Sequence, residues 1–191
     1  YPAGKGAVPP MDLRPFIDQG VWIISAVYTY LAYTGDFSIL DEVCGYYEFK
    51  GNEVLLNDEK DTVLDHLVRI AEYLRGNLDE ETGCLHALYG DWNDALDGLG
   101  KTDDPGKEYG TGVSVMATLQ YCRNLAELAE ILRKKGRDGK ADEYLRLRER
   151  VKEGLLKYAV VKNDKGERKI LHGWGDKRSY FVGSFYVVCA V

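Results

Sequence analysis

Cysteine is scarce in this chain and never clustered. Cys44, Cys84, Cys122 and Cys189 stand tens of residues apart with no Cys-x-x-Cys among them. Neither a disulfide framework nor a zinc knuckle is expected, and reduced thiols in a cytoplasmic protein are the simpler reading. No apolar run approaches the roughly 18 residues that a bilayer span requires. The start does not read as a basic–apolar–small leader. Positive charge is also in deficit. With 25 Lys+Arg against 31 Asp+Glu, the six net negative charges argue against a nucleic-acid or anionic-membrane surface, which needs clustered cations.

What remains is material for a packed core, with 45% hydrophobic and 12% aromatic residues in a length suited to one domain or part of one. The chain begins at Tyr1 without an initiator Met and stops at Val191 after an apolar run. Residues 1–191 are therefore expected to be a partial domain, cut at both ends.

Four of the five prolines (Pro2, Pro9, Pro10 and Pro15) fall within residues 1–17, an expected extended loop. Residues 18–34, DQGVWIISAVYTYLAYT, are apolar on nearly every face, which predicts a helix covered on both sides, with Asp18 as N-cap and Gly35 as stop. A short helix is expected at 36–42 and a small irregular hairpin around Gly51-Asn52. Residues 61–77 show helical spacing in Val63, Leu64, Leu67, Ile70, Ala71 and Leu74. A Gly- and Asp-rich loop over 78–110 is long for a compact domain, and such loops are disproportionately functional. Helices are predicted over 112–135 and 138–158, then a loop over 159–179 with a turn at Asn163–Gly166, and a buried strand or helix start over 180–191. Helices that alternate between wholly apolar and one-sided predict an all-α toroid with inner and outer helices, open as an arc.

Several motifs fail on context. The stretch Ala95–Thr102 ends in Gly-Lys-Thr but lacks the preceding strand and following helix of a phosphate loop. Asp91, Asn93, Asp94 and Asp97 miss the calcium-loop spacing, because Ala95 and Thr102 occupy the fifth and twelfth positions. His66, His86 and His172 form no His-x-x-x-His pair, so no metal site is expected; His66 reads as a surface or edge residue.

Gly90-Asp91-Trp92-Asn93-Asp94 remains. An indole stacks on the C–H face of a pyranose. Asn and Asp bind hydroxyls, and a carboxyl beside the indole is kept protonated by partial desolvation. A helix cap at Asp91 or Asp94 explains the same residues equally well.

The wider setting LYGDWNDALDGLG resembles the signature loop of glycoside hydrolase family 94, the inverting disaccharide and oligosaccharide phosphorylases. Asp18-Gln19-Gly20-Val21-Trp22 is similar to that family's Asp-Asp-x-x-Trp helix start, with Gln19 in place of the second acid, and Thr34-Gly35-Asp36 matches its Thr-Gly-Asp turn. Gly112-Val113-Ser114-Val115 resembles the start of the helix after the loop. Residues 10–16 and 180–185 look most like the 1,2-β-oligoglucan phosphorylases.

The resemblance implies part of an (α/α)6 barrel and phosphorolysis of β-glucosidic bonds, releasing α-glucose 1-phosphate. It implies Asp94 as general acid, with Trp92, Asn93, Asp91, Asp18 and Trp22 at the sugar. The partners implied are a β-linked gluco-oligosaccharide and inorganic phosphate, the latter as co-substrate with no other cofactor. The alternatives are an inverting hydrolase on the same scaffold and a non-catalytic, carbohydrate-binding helical piece. The phosphate-binding and other sugar-binding residues of the family lie outside these positions. The isolated chain is therefore expected to be silent and, through the apolar 18–34 helix, prone to self-association, with a homo-oligomer one possible form.

Overall fold

The computed structural model describes residues 14–50, 53–93, 96–176 and 179–180. Helix α1 (Gln19–Thr34) leads through a 3-10 turn (Phe37–Asp41) into a hairpin of β1 (Val43–Lys50) and β2 (Glu53–Thr62), followed by α2 (Val63–Gly76). After the long loop come β3 (Val113–Ser114), α3 (Val115–Lys134) and α4 (Asp138–Gly154), which ends in a π-helical turn (Leu155–Ala159). Short strands β4 (Val160–Lys162), β5 (Arg168–Ile170), β6 (Gly173–Trp174) and β7 (Ser179–Tyr180) complete the order. Alongside the four α-helices, three small antiparallel sheets among the described residues (β1-β2, β3-β6-β7 and β4-β5) go beyond the all-α expectation. No described helix is long and apolar enough to cross a membrane.

Local chemistry explains the helix ends. Gly35, at φ +67°, adopts the left-handed conformation and returns its N–H to Leu31 at 2.9 Å, which stops α1. Thr62 accepts the Asp65 N–H at 3.1 Å to start α2, and Ser114 accepts the Ala117 N–H at 3.1 Å to start α3. The predicted helix over 112–135 therefore begins three residues late, because Val113 and Ser114 are used as strand against Trp174 and Gly173. The helix expected over 138–158 keeps its α geometry only to Gly154. The 159–179 segment is not simple loop: its Asn163–Gly166 turn joins β4 and β5, with the Asn163 side chain accepting the Lys165 and Glu167 N–H groups. The loop expected over residues 1–13 and the strand or helix start expected over 181–191 lie outside the described residues.

Helix α3 is the pivot of the core. It packs against α1, α2 and α4, burying Tyr121, Leu125, Leu128 and Leu132 against Leu67 and Leu74 of α2 and Tyr144 and Val151 of α4. Among the described residues α1 is covered on one side only, the open apolar face expected of this helix in a partial barrel. Val21, Ile24 and Leu31 form its buried stripe, while Ile23, Tyr30 and Tyr33 stay exposed, Tyr33 by 88%. Its contacts with α2 and α3 fall on one side, and no described element covers the other.

Two glycines let backbone segments cross at contact distance. A Cβ on Gly100 would lie 2.0 Å from the Leu88 carbonyl oxygen, which fixes the return of the long loop. A Cβ on Gly154 would lie 1.9 Å from the Thr82 carbonyl oxygen, where that loop crosses the end of α4. Gly154→Ala is therefore expected to destabilise the fold by about 1–3 kcal/mol despite alanine's better helix propensity. Gly76, which ends α2 with open space around it, is the control; Gly76→Ala should be neutral or stabilise by up to about 1 kcal/mol. Denaturant midpoints of the two variants check the contrast.

Candidate functional site

Backbone pairing brings two distant motifs together. Tyr89 N–H donates to Pro15 O at 3.0 Å and Ile17 N–H donates to Gly90 O at 3.1 Å. The segment entering α1 is thereby zipped to the segment that ends in Gly90. Asp18 and Asp91, the residues that follow each half of this pairing, become buried neighbours, 5% and 1% exposed. Outside the zipper, the Arg14 guanidinium lies 4.2 Å from the Tyr89 ring centroid, and Phe16 meets Tyr89 edge-on at 5.3 Å. On the other flank, Ser114 N–H donates to Leu85 O at 3.1 Å and Val115 N–H donates to His172 O at 2.9 Å. These bonds set the start of α3 between the long loop and the stretch entering β6.

The Asp91 carboxylate occupies the centre of this arrangement. Its Oδ2 accepts the Ser114 hydroxyl at 2.6 Å and faces His172 Nε2 at 3.7 Å, an ion-pair distance too long for a hydrogen bond. Its Oδ1 accepts the Asn93 N–H at 2.9 Å, an Asx turn that bends the chain at Trp92. Ser114 is held in turn by its capping bond and by Thr118, whose hydroxyl donates to Ser114 O at 2.6 Å and accepts the Leu85 N–H at 2.9 Å. Burial is the largest influence on Asp91 and would push its carboxyl up, but His172, Ser114 and the Asn93 N–H together outweigh it and hold the carboxyl below its ordinary range.

Asp18 behaves oppositely. The sequence predicts Asp18 as the capping side chain of α1, but it makes no capping bond and instead accepts Trp22 Nε1–H at 2.7 Å one turn along the helix. Burial raises its carboxyl above the ordinary value; the Trp22 bond pulls the other way, and the negative charge of Asp91 adds to the rise. Two neighbouring carboxyls are thus pushed apart, the pattern that assigns different protonation states to two acids in one site.

A cleft of about 500 Å³ opens beside this pair, lined by Trp22, Trp92, Met116, Leu119, Gln120 and His172. Both indoles keep about half their surface exposed, Trp22 48% and Trp92 59%. Exposed indole faces on an open cleft suit the apolar face of a sugar ring. Of the residues expected at the site, Asp18, Trp22, Asp91, Trp92 and Asn93 are gathered here. Asp94 lies outside the described residues. Asn93 is half-buried and holds the loop, its carbonyl accepting the Leu96 N–H at 2.8 Å.

Sequence reasoning gave no role to Ser114 or His172. Ser114 carried a usable signal, since a serine before an apolar helical run is a common N-cap. The lone His172 carried none.

The profile of the glycosyl hydrolase 94 superfamily, catalytic domain, matches residues 13–177. The chain belongs to this family. Two relatives come from Paenibacillus borealis. A solabiose phosphorylase is 34% identical over 167 residues, covering 83% of this chain and 20% of the relative. A 3-O-β-D-glucopyranosyl-β-D-glucuronide phosphorylase is 27% identical over 124 residues, 62% of this chain and 15% of the relative. The chain thus spans about a fifth or less of the length of these family 94 relatives.

The opposed carboxyls predict opposed pH behaviour. Asp18, raised on folding, contributes its full stability below the unfolded value of about 3.9 and loses it as pH rises through the folded value. Asp91, lowered on folding, contributes above about 3.9 and loses that contribution as pH falls through its folded value. Asp18→Asn, which keeps an acceptor for Trp22, should raise the thermal midpoint at neutral pH and leave it unchanged below about pH 4. Asp91→Asn should lower the midpoint at neutral pH, with the deficit narrowing in acid. Melting curves from pH 3 to 8 check both signs.

Proposed function

We propose that this chain forms part of an inverting glycoside phosphorylase that cleaves β-glucosidic bonds of oligosaccharides with inorganic phosphate, releasing α-glucose 1-phosphate. The observation that carries this reading is the anchored Asp91-Trp92-Asn93 turn beside an indole-lined cleft, in a chain of family 94. The phosphorylase names of both relatives agree with it. The complete domain is read as an (α/α)6 barrel to which α1–α4 contribute.

In this reading Asp94, next along the chain from the turn, is the general acid. It protonates the glycosidic oxygen while phosphate attacks the anomeric carbon from the opposite face, inverting its configuration. Trp92 and Trp22 pack on sugar rings, Asn93 and Asp91 set the orientation of the acid, and Asp18 fixes the Trp22 indole through its ring N–H. Phosphate arrives as a charged nucleophile, so no second carboxylate is needed to activate it. An inverting hydrolase, by contrast, requires a base about 6.5–9.5 Å from the acid with room for water between them. Asp91 is poorly suited to that task. It is 1% exposed and both its oxygens are engaged. The β-1,2 linkage is our preferred substrate class, from the resemblance at residues 10–16 and 180–185.

The complete protein should release α-glucose 1-phosphate only when phosphate is supplied, most rapidly from β-1,2-gluco-oligosaccharides among β-1,2, β-1,3 and β-1,4 sets. Asp94→Asn should cost at least about 100-fold in turnover without altering the melting temperature. Release of free glucose without phosphate would identify a hydrolase, and near-wild-type turnover by Asp94→Asn would move the acid elsewhere.

A further inference from the structure

We infer that His172 is a positioning residue for the acid loop, acting through Asp91 and not on the sugar. This inference rests on the reading of Asp91–Asp94 as that loop. Three observations converge on it. His172 Nε2 is buried without a hydrogen-bond partner and faces Asp91 Oδ2 at 3.7 Å, the same oxygen that takes the Ser114 hydroxyl. Its main chain is fixed, because its carbonyl accepts the Val115 N–H at 2.9 Å and the next residue, Gly173, pairs with Ser114. His172 also lines the cleft, together with Trp22 and Trp92.

The imidazole therefore stands between the space a sugar would fill and the carboxylate that bends the chain at Trp92. Asp91 Oδ1 sets the turn, and Oδ2 is the oxygen through which that turn is aimed. An imidazole packed 3.7 Å from Oδ2 limits rotation of the carboxylate about its bond to Ser114. A sugar seated against the imidazole presses it towards Asp91, where a shift of less than 1 Å brings Nε2 within hydrogen-bond reach. Filling the cleft thus tightens the loop that carries the acid. Misplacing a reacting group by about 1 Å costs up to about 100-fold in rate, so loss of this restraint belongs in turnover more than in binding.

The test uses the complete protein in phosphorolysis assays. His172→Ala is expected to lower kcat by about 10- to 100-fold, with KM for the oligosaccharide changed by less than about threefold. His172→Gln places an amide donor at similar reach and should recover most of the rate, and it carries the test if the alanine variant does not fold. Because His172 acts through Asp91, the double variant H172A/D91N should be no slower than Asp91→Asn alone. A raised KM at unchanged kcat, or losses that multiply in the double variant, would overturn the proposal in favour of direct sugar contact. Asp94→Asn run alongside separates the two levels. Full activity there overturns the acid-loop reading, whereas an inactive Asp94→Asn beside a fully active His172→Ala overturns the His172 role alone.

Discussion

A carboxylate taken out of water is tolerated only where donors replace its hydration, and the buried charge of Asp91 imposes that requirement on three parts of the chain at once. The Ser114 hydroxyl and the Asn93 N–H donate to it from the start of α3 and the loop itself, and the His172 ring packs beside it from the stretch entering β6. Their convergence needs β3 and β6 to pair and the long loop to close over them, which is what Gly100 permits by letting the backbone pass the Leu88 carbonyl. The small sheet and the long loop are thus the framework of one buried charge.

That framework also shapes the cleft. Ser114 ends a strand, caps α3 and binds Asp91, so the first turns of α3 start at a fixed point and present Met116, Leu119 and Gln120 to the space between the two indoles. On the far wall, Asp18 uses its carboxyl to hold Trp22 instead of capping its own helix. Each indole therefore has a buried aspartate at its base, one held ionised by its donors and one pushed towards its neutral form. For carbohydrate chemistry this is a useful division: rigid, half-exposed aromatic faces outside and fixed charge beneath.

The legible parts of the fold were those decided within a few residues. Helix α2 and the body of α3 and α4 follow from 3.6-residue spacing, and the Gly35 stop follows from the need for a left-handed residue. The errors came where a tertiary partner competes for the same backbone. Val113 and Ser114 have a sequence compatible with the first turn of a helix, but they pair with Trp174 and Gly173, and the Ser114 N–H is taken by the Leu85 carbonyl. The all-apolar look of α1 foretold a face left open in a partial domain, but not which residues would form its buried stripe.

The sequence by itself determined the chemistry on offer: a Gly- and Asp-rich loop between helices, whose Asp-Trp-Asn-Asp motif resembles that of family 94. Motif recognition works there because the loop is continuous, and its side chains are informative in the order in which they are written. Only the tertiary structure decided which residues serve that loop. Asp18 and Asp91 lie 73 positions apart and meet through a two-bond backbone zipper. His172 approaches Asp91 from 81 positions further on. No periodicity or spacing encodes such encounters. They follow from strand pairing and from the cost of burying a charge, both of which depend on the whole folded chain.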